Sequence, residues 1–219
     1  YPHKAWIKMQ KRWEKDFMAT FEAQVESLAS ISIDGSSTPT QAELTQFLTD
    51  GAKEIINSLP KSLLEDCADV TTLNNSTPTM TNVNQKGLVL SVLRNDQTID
   101  QPCRFVSNYL RGKIQDSSEM DFATKTDPAY LIYDNILEVY PTPTASENAK
   151  VLHVIFPSVA FGDSAIANFP SEAEYLIVIY ATIKSLEALY SGEEDIELYI
   201  PIINQLKEDY KSGLAQLVR

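Results

Sequence analysis

The side chains best suited to chemistry in this sequence are few and widely spaced. The two histidines are His3 and His153, and the two cysteines are Cys67 and Cys103. His153 falls inside a strand pattern, where we interpret it as a sheet residue with a satisfied ring rather than as a catalytic base. Neither cysteine belongs to a pair with metal-binding spacing. We therefore expect both to be small, reduced, buried side chains in a cytoplasmic product.

One carboxylate cluster, Glu193, Glu194 and Asp195, lies between two predicted helices. It lacks the spaced ligands of a calcium loop, so we interpret it as negative charge placed favourably at a helix N-terminus. The sequence contains no nucleophile elbow, glycine-rich phosphate loop or zinc motif. Only 7 glycines are present, few for a protein that cradles a cofactor. We predict no catalytic residue, no cofactor and no metal, and therefore a protein that is not an enzyme.

The chain is acidic, with a formal net charge of −12 over 219 residues. Such a surface repels DNA and anionic lipid at long range. Two interpretations stay open: the charge gives solubility, or it faces DNA that must move past without being gripped. No apolar run is long enough to span a bilayer, and no signal peptide is seen at the start, so we expect no membrane partner.

Residues 1–17 differ from the rest because they are basic and aromatic. They are either an upstream extension of the expressed product, since Met18 begins what reads like a natural start, or a basic amphipathic arm that docks on an acidic partner surface. The candidate partner-binding residues in this arm are Lys4, Trp6, Lys8, Arg12, Trp13 and Phe17.

The chain is organised around its last 51 residues, in which two amphipathic helices separated by Gly192 predict an antiparallel hairpin. Ser171 is the expected N-cap of the first helix, with Glu174 reaching back to its amide. The apolar positions of the first helix are Leu176, Ile179, Ile183, Leu186 and Tyr190. Those of the second are Ile196, Tyr199, Ile200, Ile203, Leu206, Tyr210, Leu214 and Leu217.

Two further helices are predicted near the N-terminus. The first spans 20–28, with Phe21, Val25 and Leu28 on one stripe. The second begins with Thr38 as cap and Pro39 in the first turn, completed by Gln41 or Glu43. Its expected buried face is Leu44, Phe47, Leu48, Ile55 and Ile56. Gly51 lies inside this helix, and close packing by another helix would explain it.

The middle of the chain is rich in strand signals. Leu88–Leu93 reads as a strand that Asp69–Leu73 could pair with, and 74–85 as a mobile loop or hairpin tip. Cys103–Leu110 favours a short helix. The segment 130–140 predicts a hairpin with a two-residue turn at Asp134-Asn135. Lys150–Phe156 alternates as another strand, which includes His153.

The sequence therefore predicts an α+β fold, in which N- and C-terminal helices form a helical bundle around a β-rich insert. The expected divisions are a basic N-terminal arm over 1–17, the bundle over 18–68 and 158–219, and the insert over 69–157.

Three stretches in a fixed order carry a family resemblance. They are Ile136-Leu-Glu-Val-Tyr-Pro-Thr-Pro, Val151-Leu-His-Val-Ile-Phe-Pro and the run from Phe169-Pro-Ser-Glu-Ala-Glu to Ile183-Lys-Ser-Leu. This arrangement resembles the head–tail connector (adaptor, or neck) proteins of tailed bacteriophages. Met18–Glu26 and Pro39–Asn57 are similar to virion structural proteins of marine cyanobacterial phages. The likeness covers about 18–217 and leaves the basic arm outside.

The resemblance implies a structural virion protein of the neck or tail, made in the host cytoplasm. It implies a homo-oligomeric ring, typically of 12 copies, that joins the portal protein to a tail tube, nozzle or tail-terminator protein. Double-stranded DNA would pass through the lumen without specific binding, and is ejected along this path. The arm, or a C-terminal tail with Leu214, Leu217 and Arg219, is expected to dock on a neighbour or on the portal. Another tail or baseplate completion protein, or a small-molecule binding module, stays an alternative.

Overall fold

The computed structural model describes residues 19–191 and 199–217. They contain four α-helices and eight strands in two sheets, so the fold is mixed α+β, as predicted. Contacts divide the chain into two compact units. The helical unit comprises Tyr1–Asp66 and Pro157–Arg219, and the β unit comprises Cys67–Phe156. The β unit is thus one continuous stretch between the two parts of the helical unit.

The helical unit contains α1 (Phe21–Ala29), α2 (Gln41–Ser58), α3 (Ser171–Leu189) and α4 (Ile200–Leu217). α1, α2 and α4 each pack against α3. This arrangement follows from the composition of α3, which is apolar on nearly every side and must be covered all round. Its buried residues are Ala173, Leu176, Ile177, Val178, Ile179, Ala181, Thr182, Ile183, Ser185 and Leu186.

α3 and α4 run antiparallel, as the sequence predicted. Tyr180, near the middle of α3, lies with its ring centroid 5.9 Å from that of Tyr210 in α4. Glu187, seven residues or about two turns later in α3, forms an ion pair at 2.8 Å with Lys207, which precedes Tyr210 in α4. Burial raises the pKa of Tyr210, whose hydroxyl donates to Glu54 Oε1 of α2 at 3.2 Å. Ile196 lies outside the described residues.

Both helix starts differ from the prediction. The N-cap of α2 is Thr40 rather than Thr38, and it forms a capping box in which Glu43 accepts from the Thr40 amide at 2.7 Å. Thr38 and Pro39 precede this cap. Ser171 is the first residue of α3 and does not cap it, since Pro170 holds the cap position. Glu174 instead accepts from the amide of Ile166 at 2.9 Å, so it ties down the incoming loop.

The predicted buried faces are largely correct. Leu44, Leu48, Ile55 and Ile56 of α2 are buried, while Phe47 is half-buried. Phe21 and Val25 of α1 are buried as well. Leu28, on the same stripe, is 37% exposed. The side chain stands at the last turn of α1, where the described part of the chain leaves it uncovered.

The β unit has two four-stranded sheets. The first contains β1 (Ala68–Leu73), β8 (Asn148–Val154), β3 (Val89–Asn95) and β4 (Asp100–Pro102), in that order. The second contains β2 (Thr79–Met80), β7 (Ile136–Tyr140), β6 (Ala129–Tyr133) and β5 (Arg104–Phe105). The two sheets share one core. Its residues are Leu73, Met80, Val92, Leu137, Val139, Ala149 and Val151.

The strand pairing of the first sheet corrects one prediction. β1 and β3 do not pair with each other, because both pair antiparallel with β8, which lies between them. Leu73 and Arg94 therefore both stand opposite Ala149. A pairing over such a sequence distance leaves no local signal from which a partner could be chosen.

The second sheet confirms the predicted hairpin. β6 and β7 pair antiparallel around Asp134 and Asn135, whose φ values of 47° and 65° suit a two-residue turn that twists with its strands. The predicted helix over Cys103–Leu110 is wrong. That stretch holds β5, which runs parallel to β6, and a single 3₁₀ turn over Asn108–Leu110. The predicted loop over 74–85 contains β2 and a 3₁₀ turn at Val83–Gln85.

Gly51 is the point of closest approach between α2 and α3, as its place inside a helix suggested. A Cβ at this position would lie 2.9 Å from Cδ1 of Tyr180 and 3.3 Å from its Cβ. Those atoms belong to the base of a ring on a packed helix, so they cannot swing aside at low cost. Glycine here thus sets the spacing between the two helices.

We predict that Gly51→Ala lowers the free energy of unfolding by about 1 kcal/mol. Overpacking costs about 1–3 kcal/mol and exceeds the gain in helix propensity of about 1 kcal/mol. Urea unfolding followed by circular dichroism measures the change. Asn57→Ala, at an exposed position of the same helix, is the matched control and should leave stability equal or higher. A Gly51→Ala protein as stable as that control would contradict the assigned contact.

Candidate interaction surfaces

His153 has the environment that the sequence predicted for it. The residue is fully buried in β8, opposite Asp69 and Val89. Its Nδ1 lies 3.2 Å from the carbonyl of Val154, so Nδ1 carries a proton, and its Nε2 then accepts from the Thr71 hydroxyl at 2.9 Å. Both ring nitrogens are occupied within the sheet. The ring is therefore not free to move a proton to or from a substrate.

Cys67 is buried, as expected, while Cys103 is half-buried. Burial raises the pKa of the Cys103 thiol to about 12, against the opposing effect of the nearby Arg94 charge. The thiolate is the form that attacks substrates or binds metals. At neutral pH Cys103 is accordingly protonated and unreactive.

The constellation closest to a catalytic one joins Arg94 of β3 to Glu147, just before β8. Arg94 is 1% exposed and Glu147 3% exposed. Arg94 Nη2 donates to Glu147 Oε2 at 2.7 Å, and its Nε donates to the carbonyl of Pro141 at 2.7 Å. The same Oε2 accepts from the amide and hydroxyl of Thr144 at 3.0 and 2.8 Å. Lys125 Nζ lies 2.5 Å from the other carboxylate oxygen.

These contacts hold parts of the β unit together and do not form a reaction centre. The bond to Lys125 and those to Thr144 hold the pKa of Glu147 at about 2, although burial opposes the shift, so the carboxylate stays charged at any working pH. A general base or acid needs a pKa near that pH and an open side toward substrate. Glu147 has neither, because its oxygens are already engaged. The cluster ties the 141–147 loop and Lys125 to the centre of the first sheet.

No group of three or more His, Cys, Asp or Glu side chains within 19–191 and 199–217 is arranged to hold a metal ion. Glu193, Glu194 and Asp195 lie outside these ranges, so the structure does not place the predicted carboxylate cluster. The described part of the chain does expose apolar side chains on its surface. These exposed aromatic and aliphatic side chains are the candidate contacts.

Three exposed aromatic side chains of the β unit, Phe105, Tyr109 and Tyr133, lie on or near strands β5 and β6, and we call these three residues the β6 patch. These side chains are 64%, 82% and 52% exposed. Phe105 is held by Tyr130, with ring centroids 5.4 Å apart, and Tyr133 by the guanidinium of Arg111, 5.4 Å from its ring centroid. Arg111 is fixed in turn by two 2.9 Å bonds to Glu138. The patch is thus positioned by the sheet, which suits a surface ready to bind.

A different apolar surface lies on the helical unit. A groove of about 400 Å³ runs between α1 and the start of α3, with Leu28 and Tyr175 among its lining residues. These two side chains are 37% and 56% exposed. Ile200 and Ile202, at the start of α4, are also exposed. The helical unit therefore carries its own contact surface, distinct in shape and composition from the β6 patch.

The structure places few of the sequence-predicted contact residues. Lys4, Trp6, Lys8, Arg12, Trp13, Phe17 and Arg219 lie outside the described residues. Leu214 and Leu217 are half-buried on α4. Sequence reasoning did not find the β6 patch, since Phe105 and Tyr109 were assigned to a helix. The exposure of Tyr133 could not be found from alternation, because Tyr133 shares a strand face with Leu131, which is buried.

None of the helices within the described ranges combines the length and the apolar character needed to cross a membrane. No model of a known protein family matches the chain, and no curated protein matches it.

The buried Arg94–Glu147 pair leads to a pH-dependent prediction. We expect Glu147→Gln to lower the free energy of unfolding at neutral pH by about 3–5 kcal/mol, since the change leaves Arg94 buried without its countercharge. The folded pKa lies near 2 and the ordinary value is 4.5. The stabilisation of the folded state by the Glu147 carboxylate is therefore fully present above about pH 4.5 and is lost as the pH falls toward 2.

Urea unfolding of both proteins between neutral pH and pH 2 measures this difference, which should shrink on acidification. Glu119→Gln is the control, because its ion pair with Lys113 has side chains 41% and 50% exposed and should be worth less than about 1 kcal/mol. If the free energies of unfolding of the wild-type protein and of Glu147→Gln differed by the same amount at every pH, the Glu147 carboxylate would not be the charged partner of Arg94.

Proposed function

We propose that this protein is a structural component of a tailed-bacteriophage virion, a head-to-tail adaptor ring that joins the portal to the tail and lines the DNA channel. The observation that carries the proposal is the presence of two unlike apolar surfaces, the β6 patch and the exposed Ile200 and Ile202 at the start of α4. A ring contact is heterologous, so one surface of a subunit must complement a different surface of its neighbour. The order of the connector-like motifs supports the same reading.

The resemblance also guides a proposal for the architecture. The helices contributed by the two ends of the chain form one bundle around α3, and the β unit is an insert in that bundle. Chain connectivity supports this, because the β unit interrupts the helical unit in sequence. The contacts of α1, α2 and α4 with α3 support it further. A rigid helical body with an inserted sheet unit suits a subunit that must contact different proteins.

The proposed partners follow from the ring. About 12 copies, the number the resemblance implies, surround the channel, with the portal protein on one side and a tail tube, nozzle or tail-terminator protein on the other. The net charge of −12 supports a channel wall that repels DNA, so that double-stranded DNA passes without specific binding during ejection. The protein's place would be the neck or tail of the virion.

Mixing with a portal ring tests this proposal. We expect the purified chain to be monomeric alone and to add a complete ring when mixed with the portal of the same phage, as measured by native mass spectrometry. A chain that ignores the portal and binds tail or baseplate proteins would instead be a tail or baseplate completion protein. A chain that stays monomeric with all virion proteins would overturn the structural role.

The β6 patch gives a sharper test of the ring contact. We expect the double variant Phe105→Ser, Tyr109→Ser to lose ring formation on the portal while remaining folded, because both side chains are already exposed in the subunit. Ile99→Ser, which removes a 57% exposed side chain from the turn between β3 and β4, is the matched control and should assemble normally. Equal assembly of the double variant and the control would remove the patch from the interface.

Terminal deletions test the two tails. We expect removal of 1–17, or of 214–219, to weaken assembly on the portal, since these segments carry the proposed contacts of Lys4, Lys8 and Leu217. The number of copies retained per portal ring is the measurement. Unchanged assembly in both deletions would contradict the role of the tails and leave the β6 patch as the remaining candidate.

A further inference from the structure

The α1–α3 groove lacks a cover within the described residues. Ala23 and Ser27, four residues apart on α1, are small and leave the space open, while Leu28 and Tyr175 present large apolar surfaces to it. Leu28 belongs to the same predicted stripe as the buried Phe21 and Val25, yet it is 37% exposed. Burying an apolar side chain of this size is favourable, so α1 carries one large apolar side chain that α2, α3 and α4 leave uncovered.

The groove begins where a suitable segment enters it. Ala19, the first described residue, lines one end of the groove, and its carbonyl accepts from the Gln24 side chain at 3.0 Å. The chain that precedes Ala19 therefore enters at this end of the groove. From Ala19 to Leu28 the groove is about 14 Å long, at about 1.5 Å per residue. Phe17 is two residues from Ala19, a reach of up to about 7 Å, and Trp13 would lie about 6 Å further along a helical repeat, so the two side chains together can span the groove.

The preceding segment has the matching pattern. Trp6, Trp13 and Phe17 are spaced by seven and four residues, which places them on one side of a 3.6-residue repeat. Four lysines fall on the opposite side of the same repeat, with spacings of four, three and four. They are Lys4, Lys8, Lys11 and Lys15. The segment thus separates an aromatic stripe from a basic one.

Charge favours the same encounter. Residues 1–17 contain five Lys and Arg and two Asp and Glu, so their net charge is +3. The net charge of the whole chain is −12, so the remaining residues have a net charge of −15. Opposite net charges attract at long range. The tether adds to this, because a short linker raises the effective concentration of an attached segment to the order of millimolar. A segment of the same chain therefore has the advantage over any free partner.

We propose that residues 1–17 occupy the α1–α3 groove of their own chain, with Trp13 and Phe17 packed against Leu28 and Tyr175. The segment covers the apolar surface that α1 leaves open, and it presents its lysines outward. The groove is then an internal docking site rather than a ligand pocket. In an assembly, the outward basic stripe remains available to an acidic surface.

The sequence provides a built-in probe, because both tryptophans of the chain, Trp6 and Trp13, lie in this segment. We expect the tryptophan emission of the monomer to be shifted to the blue and protected from soluble quenchers. Ser27→Arg, at an exposed position of α1, should block the groove and shift the emission to the red, with loss of protection. Asn57→Arg adds the same charge at an exposed position of α2 and should leave both signals unchanged.

Dilution distinguishes a segment of the same chain from a segment of a neighbouring copy as the occupant of the groove. A blue-shifted signal that is independent of protein concentration, with a monomeric native mass, supports the intramolecular contact. A blue shift that appears only as copies associate would assign the groove to the segment of a neighbouring copy and overturn the proposal. So would a water-exposed emission in the folded monomer, or an equal response to Ser27→Arg and Asn57→Arg. The portal is absent throughout, so failure here leaves the adaptor function untouched.

Discussion

The helical unit depends on covering one helix. α3 buries ten of its side chains, and an apolar helix can be stable in water only if neighbours occupy its sides. α1, α2 and α4 do so from three separate parts of the chain. The distance between α2 and α3 is set at Gly51, where the absence of a side chain lets the backbone of α2 contact the base of the Tyr180 ring on α3. The shape of this unit is consequently a matter of steric fit around α3, with polar contacts such as Tyr210–Glu54 at its edges.

The β unit is held by a different balance. Its shared core is made of small and medium aliphatic residues, and a buried guanidinium–carboxylate pair stands beside it. Burying two charges costs more than an apolar contact of the same volume, unless every oxygen and nitrogen is engaged. The bonds of Glu147 to Thr144, Lys125 and Arg94 reduce that cost. A charged pair has one allowed geometry, so it fixes the path of the 141–147 loop more strictly than leucines would.

Local features of this fold could be predicted from the sequence, and long-range ones could not. The hairpin of β6 and β7 was found because alternation and an Asp-Asn turn are written in adjacent residues. Helix α2 was found from its periodicity, although its cap was placed two residues early, since Thr38 and Thr40 offer the same hydroxyl. The partner of β1 was missed because β8 lies 75 residues beyond the end of β1. The α1–α3 groove was missed because an uncovered Leu28 has the same spacing as a buried one.

The place of β8 in the first sheet has a consequence for biosynthesis. A ribosome releases the chain from its N-terminus, so β1, β3 and β4 emerge before the strand that joins them. Until Val154 has left the exit tunnel, β1 has no partner in its sheet and β3 has only the short β4. α1 and α2 wait in the same way for α3, which follows β8. The first sheet can therefore form only after β8 has emerged, and the helical unit only after α3 has followed it. A product truncated before β8 exposes open strand edges that invite aggregation and degradation.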